Sequence, residues 1–254
     1  MIGNEQTLNH IIEKLDKKLR VCFSRYGDGD FIAMYPDVVN TVIGHHNKSL
    51  ITPDVKQKLI DSFLFEAEGY YIGTVENLHH PRSTSNNVNF DIFEKLHQLQ
   101  KRPKKYSAIA FQECFFDNQS ILLDFFKIVN KQKTLYVNHY NSTVLHKFLG
   151  NITHYIEVPK YNACGSYPYI LKQILDIDLN EYDQIFLSCG QLSRVIVKDL
   201  FTQIPKKNIF DIGSLSDMLV ANDAAFERVD KRMHITDNIS KIQNTIKYFD
   251  KLLA

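Results

Sequence analysis

Short apolar runs alternate with longer segments of helical periodicity along almost the whole chain. That alternation restricts the fold more than any other feature. The runs Val21–Ser24, Tyr70–Gly73, Ala108–Phe111, Thr134–Asn138, His154–Val158, Ile185–Ser188 and Asn208–Ile212 have the length and composition of buried strands. Between them, Thr52–Glu66, Asn118–Val129, Ser142–Leu149, Tyr167–Leu175 and Ser193–Phe201 space their apolar residues like helices. Strands separated by helices pair in parallel through right-handed crossovers, which bury both faces of a sheet. The expected fold class is therefore α/β, a mostly parallel sheet with helices on both faces. An N-terminal helix is predicted over residues 5–19, with Leu8, Ile11, Ile12, Leu15 and Leu19 as its stripe. A C-terminal helix is predicted over residues 235–253, striped by Ile239, Ile242, Ile246, Phe249 and Leu253 and capped by Thr236 or Asp237. The 254 residues are read as one domain, and a hydrophobic content of 44% suffices for its core.

Composition removes several function classes. The net charge of +1 gives no whole-molecule attraction for nucleic acid. No apolar run reaches the ~18 residues that a membrane span needs. The N-terminus has the wrong order of charged and apolar residues for a secretory signal. Cys22, Cys114, Cys164 and Cys189 are far apart and form no Cys-x-x-Cys pair, so they read as reduced, buried thiols of a cytoplasmic protein. The adjacent histidine pairs His45-His46 and His79-His80 lack the partners of a familiar metal spacing and read as loop residues. The polar stretch His79–Asn89 follows a strand end and is the loop expected to be most mobile. The basic run Lys101-Arg102-Pro103-Lys104-Lys105 reads as a solvated turn.

Three strand ends carry residues with chemistry. The first is Val21-Cys22-Phe23-Ser24-Arg25-Tyr26-Gly27-Asp28-Gly29-Asp30, an apolar run closing on two glycines and two carboxylates. Gly27 and Gly29 leave room for phosphates to approach. Asp28 and Asp30 are hard oxygen donors that suit Mg²⁺ or Mn²⁺. Inside one regular helix their side chains would diverge by roughly 200°. They share an ion only if Asp28 precedes the helix. The same residues also suit a plain helix cap, an aspartate at a positive helix end. The second strand end is Ile185-Phe186-Leu187-Ser188-Cys189-Gly190-Gln191-Leu192-Ser193-Arg194, a strand, a small-residue turn and a helix start. Free amides at such a start attract phosphate, with Ser193 and Arg194 as added donors, although a capped junction looks the same. The third, Asn208–Asp217, places Asp211 at a strand end before Gly213, and Asp217 in the next turn. Either carboxylate could hold a ribose, a metal or a water, and Ser216 or Asp217 could simply cap a helix.

Taken in order, these stretches resemble one family. Arg25–Asp30 resembles the Arg-Phe-Gly-Asp-Gly-Glu signature of the GT-D class of glycosyltransferases, formerly a domain of unknown function. Leu187–Leu200 resembles its strand–glycine–helix segment, and Asn208–Gly213 its Asp-Ile-Gly element. Glu157–Ala163 is similar to its Pro-x-x-Asn-Ala turn. The likeness runs from Leu19 to Asp217. It implies a Rossmann-like fold of GT-D type and metal-dependent transfer of a sugar, a hexose, from a nucleoside-diphosphate donor such as UDP-glucose to a glycan or glycoconjugate acceptor. It implies Mn²⁺ or Mg²⁺ on Asp28 and Asp30. Donor contacts are expected from Arg25, Gly27, Asp28, Gly29, Asp30, Gly190, Gln191, Ser193 and Arg194. Three departures stand out: Asp30 where glutamate is usual, Gln191-Leu192-Ser193 for Pro-Thr-Ala, and Ser214 for a histidine.

An inverting transfer also needs a base on the acceptor hydroxyl. Glu113 is one candidate, placed just beyond a presumed strand in AIAFQECFFDN, and Asp117, Asp211 and Asp217 compete with it. Thr74 or Asn77 could meet the base or ribose. The partners expected are a nucleotide sugar and a glycan, with no nucleic acid and no transmembrane segment; a homodimer is allowed. Alternatives are a metal-dependent phosphohydrolase, a Rossmann-type methyltransferase or a non-catalytic nucleotide-binding module.

Overall fold

The computed structural model describes residues 2–35, 37–43, 49–75, 90–101, 105–220 and 239–253. In chain order the strands are β1 (Cys22–Tyr26), β2 (Thr41–Ile43), β3 (Ser49–Ile51), β4 (Tyr70–Thr74), β5 (Tyr106–Ser107), β6 (Lys133–Asn138), β7 (Asn151–Glu157), β8 (Gln184–Ser188) and β9 (Asn208–Asp211). The helices are α1 (Asn4–Asp16), α2 (Asp28–Met34), α3 (Pro53–Leu64), α4 (Phe90–Leu99), α5 (Ala110–Asp117), α6 (Gln119–Val129), α7 (His146–Leu149), α8 (Tyr167–Leu175), α9 (Gln191–Gln203), α10 (Leu215–Leu219) and α11 (Ile239–Leu253). Seven strands form one sheet in the order β5–β4–β1–β9–β8–β6–β7. Every neighbouring pair in it is parallel. Strands β2 and β3 form a separate antiparallel hairpin. The expected α/β class with a parallel sheet is what the chain adopts.

Two apolar layers hold the sheet. Alternate strand residues point to opposite faces. Phe23, Tyr136, Phe186 and Phe210 pack with α1, α5, α6, α7, α10 and α11. Cys22, Tyr26, Leu135, Val137, Ile185, Leu187 and Ile209 pack with α2, α3, α8 and α9. Within the first layer Phe186 and Phe210 stack at 5.1 Å between ring centroids, and Phe125 meets both edge-on. Full burial of such a ring contributes roughly 1.5–3 kcal/mol.

Several boundaries differ from the sequence reading. Ala108–Phe111 is not a strand. The strand there is the two-residue β5, and α5 begins at Ala110. Ala110, Phe111, Cys114 and Phe115 are all buried, and their spacing is helical rather than alternating. Strand β7 starts earlier than expected because its outward residues Asn151, Thr153 and His154 are polar and exposed. Ser142–Leu149 is a 3₁₀ turn at Thr143–Leu145 running into α7. Helix α1 stops at Asp16, where Lys18 takes a left-handed conformation at φ 54°. Helix α4 and the β2–β3 hairpin were not foreseen. The histidine pairs, Asn77, the stretch 79–89, residues 102–104 and the proposed cap at Thr236 or Asp237 lie outside the described residues.

Candidate functional site

Because β1, β9 and β8 are adjacent and parallel, the turns that follow them emerge side by side at one edge of the sheet. In open α/β sheets ligands bind at that edge. Three segments far apart in the sequence thus meet: 27–30 after β1, 189–194 after β8, and 211–217 after β9.

Their junction is a buried charge cluster. Asp211 follows Ile209 by two residues and so faces the α9 side of the sheet. There Arg194, on the first turn of α9, reaches it: Nη1 lies 3.0 Å from Asp211 Oδ2, and Nη2 donates to Asp30 Oδ2 at 3.1 Å. Arg194 Nη1 also donates to the Gly190 carbonyl at 2.6 Å. Arg25 lies in phase with Phe23 and emerges on the α5 side. Its Nη1 donates to Gln112 Oε1 at 2.5 Å, and its Nε lies 3.9 Å from Asp211 Oδ1. Gln112 in turn donates to the Ile212 carbonyl at 3.0 Å. Gly213 sits at φ 49°, and a Cβ there would fall 2.0 Å from Arg25 Nη2. The position therefore favours glycine for its backbone angle, and a side chain there would displace the Arg25 guanidinium.

The electrostatics follow from this packing. Two arginines and two carboxylates balance. Burial alone would lower the Arg194 guanidinium, but Asp211 and Asp30 outweigh it and hold the group above its ordinary value. Burial dominates at Arg25, which is pushed down to about 10 with Asp211 acting against the shift. Burial also pushes the Asp30 carboxyl up, opposed by Arg194 and the Gly27 amide.

The two carboxylates of the opening turn have different surroundings. Asp28 is exposed, and its Oδ1 accepts from the Gly29 amide at 2.8 Å. Asp30 is buried. Its Oδ2 accepts from the Gly27 amide at 2.8 Å as well as from Arg194, closing the start of α2 from its third position. Its Oδ1 is buried without a hydrogen-bond partner. The two carboxylates thus face different surroundings, one solvent and the other the buried cluster. Asp30 is committed to Arg194 and to the helix start.

The other predicted residues divide in the same way. Gly190 turns the chain at φ 63° from β8 into α9. The Gln191 amide nitrogen lies 3.5 Å from the point where a Gly29 Cβ would sit, so the first two turns touch. Ser193 is fully buried, and its Oγ accepts from the Cys189 amide at 3.0 Å, which makes it a brace of the turn. Asp211 is fully buried within the cluster. Asp217 sits on α10 and accepts from Tyr140 Oη at 2.9 Å. Glu113 does not join them. It is one residue beyond Gln112 on α5, and ~100° of helix rotation separates the two side chains. Gln112 is the residue the sequence reading missed. Taking that stretch as a strand hid the helical phase that turns Gln112, rather than Glu113, toward Arg25. Ser188 was also missed: its Oγ donates to the Gly213 carbonyl at 2.7 Å and lies 2.9 Å from Ser216 Oγ. Thr74 is buried against His97, with 3.1 Å between Oγ1 and Nε2. Asn162, in the Pro-x-x-Asn-Ala-like turn, takes a left-handed conformation at φ 56°, and its Oδ1 accepts from Leu50 N at 2.9 Å, tying down the β2–β3 hairpin.

No family model and no curated protein matches the chain in sequence. Solved structures do match it in shape. One is a glycosyltransferase, of domain of unknown function 1792, from Streptococcus sanguinis; it shares 16% identity at a TM-score of 0.66, over 91% of this chain and 84% of that one. A selenomethionine-substituted structure of the same domain gives 14% identity and a TM-score of 0.61, over 91% and 81%. A third, described as having a distinct glycosyltransferase fold, gives 14% identity and 0.60 over the same shares. The parallel sheet, its covering helices and the three turns at its carboxyl edge are thus built on the GT-D glycosyltransferase fold.

Proposed function

We propose that the chain is a glycosyltransferase that moves a hexose from a nucleoside-diphosphate sugar, UDP-glucose-like, to a glycan or glycoconjugate acceptor. The observation that carries this reading is the meeting of segments 27–30, 189–194 and 211–217 at the carboxyl edge of β1, β8 and β9, on a fold of this kind.

The donor's diphosphate is proposed to lie over Gly27, Gly29 and Gly190, with Gln191 and Arg25 beside it. Arg194 and Asp30 act beneath it as positioning residues that lock the α2 and α9 turns together. Ser193 holds the second turn from within. An exposed Asp28 on this rim would repel a diphosphate, and a divalent cation between them reverses the sign of that interaction. Such ions commonly take one or two carboxylates plus substrate phosphates. Asp28 fits as that carboxylate for Mn²⁺ or Mg²⁺; Asp30, inside its ion pair, does not. Among the described residues no three His, Cys, Asp or Glu side chains form a metal cluster. When bound, the ion supplies neutralisation of charge on the departing diphosphate. For a base on the acceptor hydroxyl we favour Asp217 over Glu113 and Asp211. Glu113 lies off the cluster and Asp211 is sealed within it at 0% exposure, whereas Asp217 keeps 5% exposure and accepts from Tyr140 Oη. The four cysteines are free and buried, and no described helix is long and apolar enough to cross a membrane; both support the proposed cytoplasmic setting.

Thermal unfolding with UDP, GDP, CDP or S-adenosylmethionine, with and without Mn²⁺, tests the reading by mass action. The expected result is a rise in Tm with a nucleoside diphosphate that depends on Mn²⁺ and is lost in Asp28→Ala, while the ligand-free Tm of that variant stays unchanged. A rise with S-adenosylmethionine alone would make the chain a methyltransferase.

A further inference from the structure

A groove of about 700 Å³ runs along the outer side of β7 and faces α8. Its walls include His139, Glu157, Lys160, Tyr169, Gln173 and Asp176. None of these belongs to the charge cluster. The sheet order fixes where the groove lies. Strand β6 pairs with β8, and β7 pairs with β6 as the edge strand. At ~4.8 Å per strand, β7 is about 10 Å from β8, whose carboxyl end opens into Gly190. His139 follows β6, and Val158 to Lys160 follow β7, so the groove opens at the same edge as the three turns. From His154 to Glu157 it tracks the extended backbone of β7 for about 10 Å.

We propose that this groove binds the glycan acceptor, an oligosaccharide chain lying along β7 with its growing end toward the cluster. The assignment rests on the glycosyltransferase reading and adds the acceptor's place to it. Three observations favour a sugar chain. First, Tyr169 is 64% exposed in the groove wall. Broad tyrosine faces left to solvent suit the C–H face of a sugar ring, and their hydroxyls suit its rim. Gln173 donates to the Tyr169 hydroxyl at 3.1 Å and orients the ring. Second, the polar lining mixes an amide, imidazoles, carboxylates and an ammonium with no dominant sign. That matches a polyhydroxyl ligand, which presents donors and acceptors in equal measure. Third, the groove wall includes His139, the chain neighbour of the tyrosine that holds the candidate base. The His139 and Tyr140 rings stand 4.6 Å apart, and Tyr140 donates to Asp217 at 2.9 Å. A chain seated along β7 would bring its end past His139 to the carboxyl edge that the three turns share.

The test uses the full chain, fluorescently labelled, on an array of neutral and acidic oligosaccharides of two to six sugars. It is run in parallel with Tyr169→Ala and Asp176→Ala and with the UDP and Mn²⁺ thermal shift on the same proteins. Binding of a subset of glycans is expected, weakened about tenfold by Tyr169→Ala, with the UDP shift the same in all three proteins. No glycan bound, or binding untouched by both variants, overturns the groove assignment while the UDP shift still stands. Tyr169-dependent glycan binding without any UDP shift keeps the groove and removes the donor reading. Self-association that vanishes in Tyr169→Ala, with no glycan bound, gives the groove to a second copy of the chain and overturns the proposal.

Discussion

Arg194 is the residue whose removal should cost the fold most for the fewest atoms lost. It bridges Asp30 and Asp211 at 3.1 and 3.0 Å, and the side chains of all three are at most 9% exposed. In Arg194→Met the side-chain volume is largely kept, so the cavity penalty is small. Two buried carboxylates are left with Arg25 alone, whose Nε stands 3.9 Å from Asp211. Breaking a buried pair by removing one partner costs about 3–5 kcal/mol, because the remaining charge is neither solvated nor paired. Set against a total stability of ~5–15 kcal/mol, that is a large fraction. For a chain of this size it corresponds to a fall in Tm of about 10 °C. Adding Asp30→Asn removes one stranded charge, so the double variant should recover about 1–3 kcal/mol relative to the sum of the two single changes. Urea unfolding followed by far-ultraviolet circular dichroism measures all four proteins, with the m-value as a check that the unfolded states are comparable. Asp28→Asn serves as the exposed control and should stay within about 0.5 kcal/mol of the parent. A loss under about 1 kcal/mol in Arg194→Met, or strict additivity in the double variant, would refute the view that this ion cluster locks the site.

Two further outcomes follow. Gly213→Ala combines a left-handed φ of 49° with a Cβ placed 2.0 Å from Arg25 Nη2, so a loss of about 1–3 kcal/mol is expected in the same urea assay; an unchanged midpoint would show that Arg25 does not rest there. Burial pushes the thiols of Cys22, Cys114 and Cys189 up to about 12 and that of Cys164 up to about 11. The thiolate is the reactive form, so at about pH 8 a disulfide reagent should label the folded chain orders of magnitude more slowly than the urea-unfolded chain. Rapid labelling of any cysteine in the folded protein would contradict the packing around it.

The parallel sheet was legible because seven apolar runs recur between helical segments, a pattern that few other folds produce. Tyr167–Leu175 matches α8 end to end, since its stripe is clean and Asp176 follows at once. Legibility failed where local composition and tertiary role part company. Ala108–Phe111 is apolar enough for a strand, yet Cys114 and Phe115 extend it with a helical period that a short window cannot see. Strand β7 hid its first residues because an edge strand exposes polar side chains. At the site, the glycines and the identities of Asp28, Asp30, Arg194 and Asp211 could be read in order along the chain. Which aspartate faces solvent could not be read. That depends on Arg194, 164 residues from Asp30, arriving across the sheet. Gln112 escaped for the same reason, since only the sheet order sets α5 beside Arg25.

The position of β1 has a consequence for synthesis. That strand leaves the ribosome well before β9, which is one of its two neighbours. The Asn208 side chain that caps this seam, accepting from Val21 N, lies 187 residues downstream. At ~5–20 residues per second the nascent strand waits about 10–40 s with an apolar edge open. Over that interval the growing polypeptide is a substrate for holdase chaperones, and a message truncated before β9 should yield an aggregate rather than a smaller folded protein.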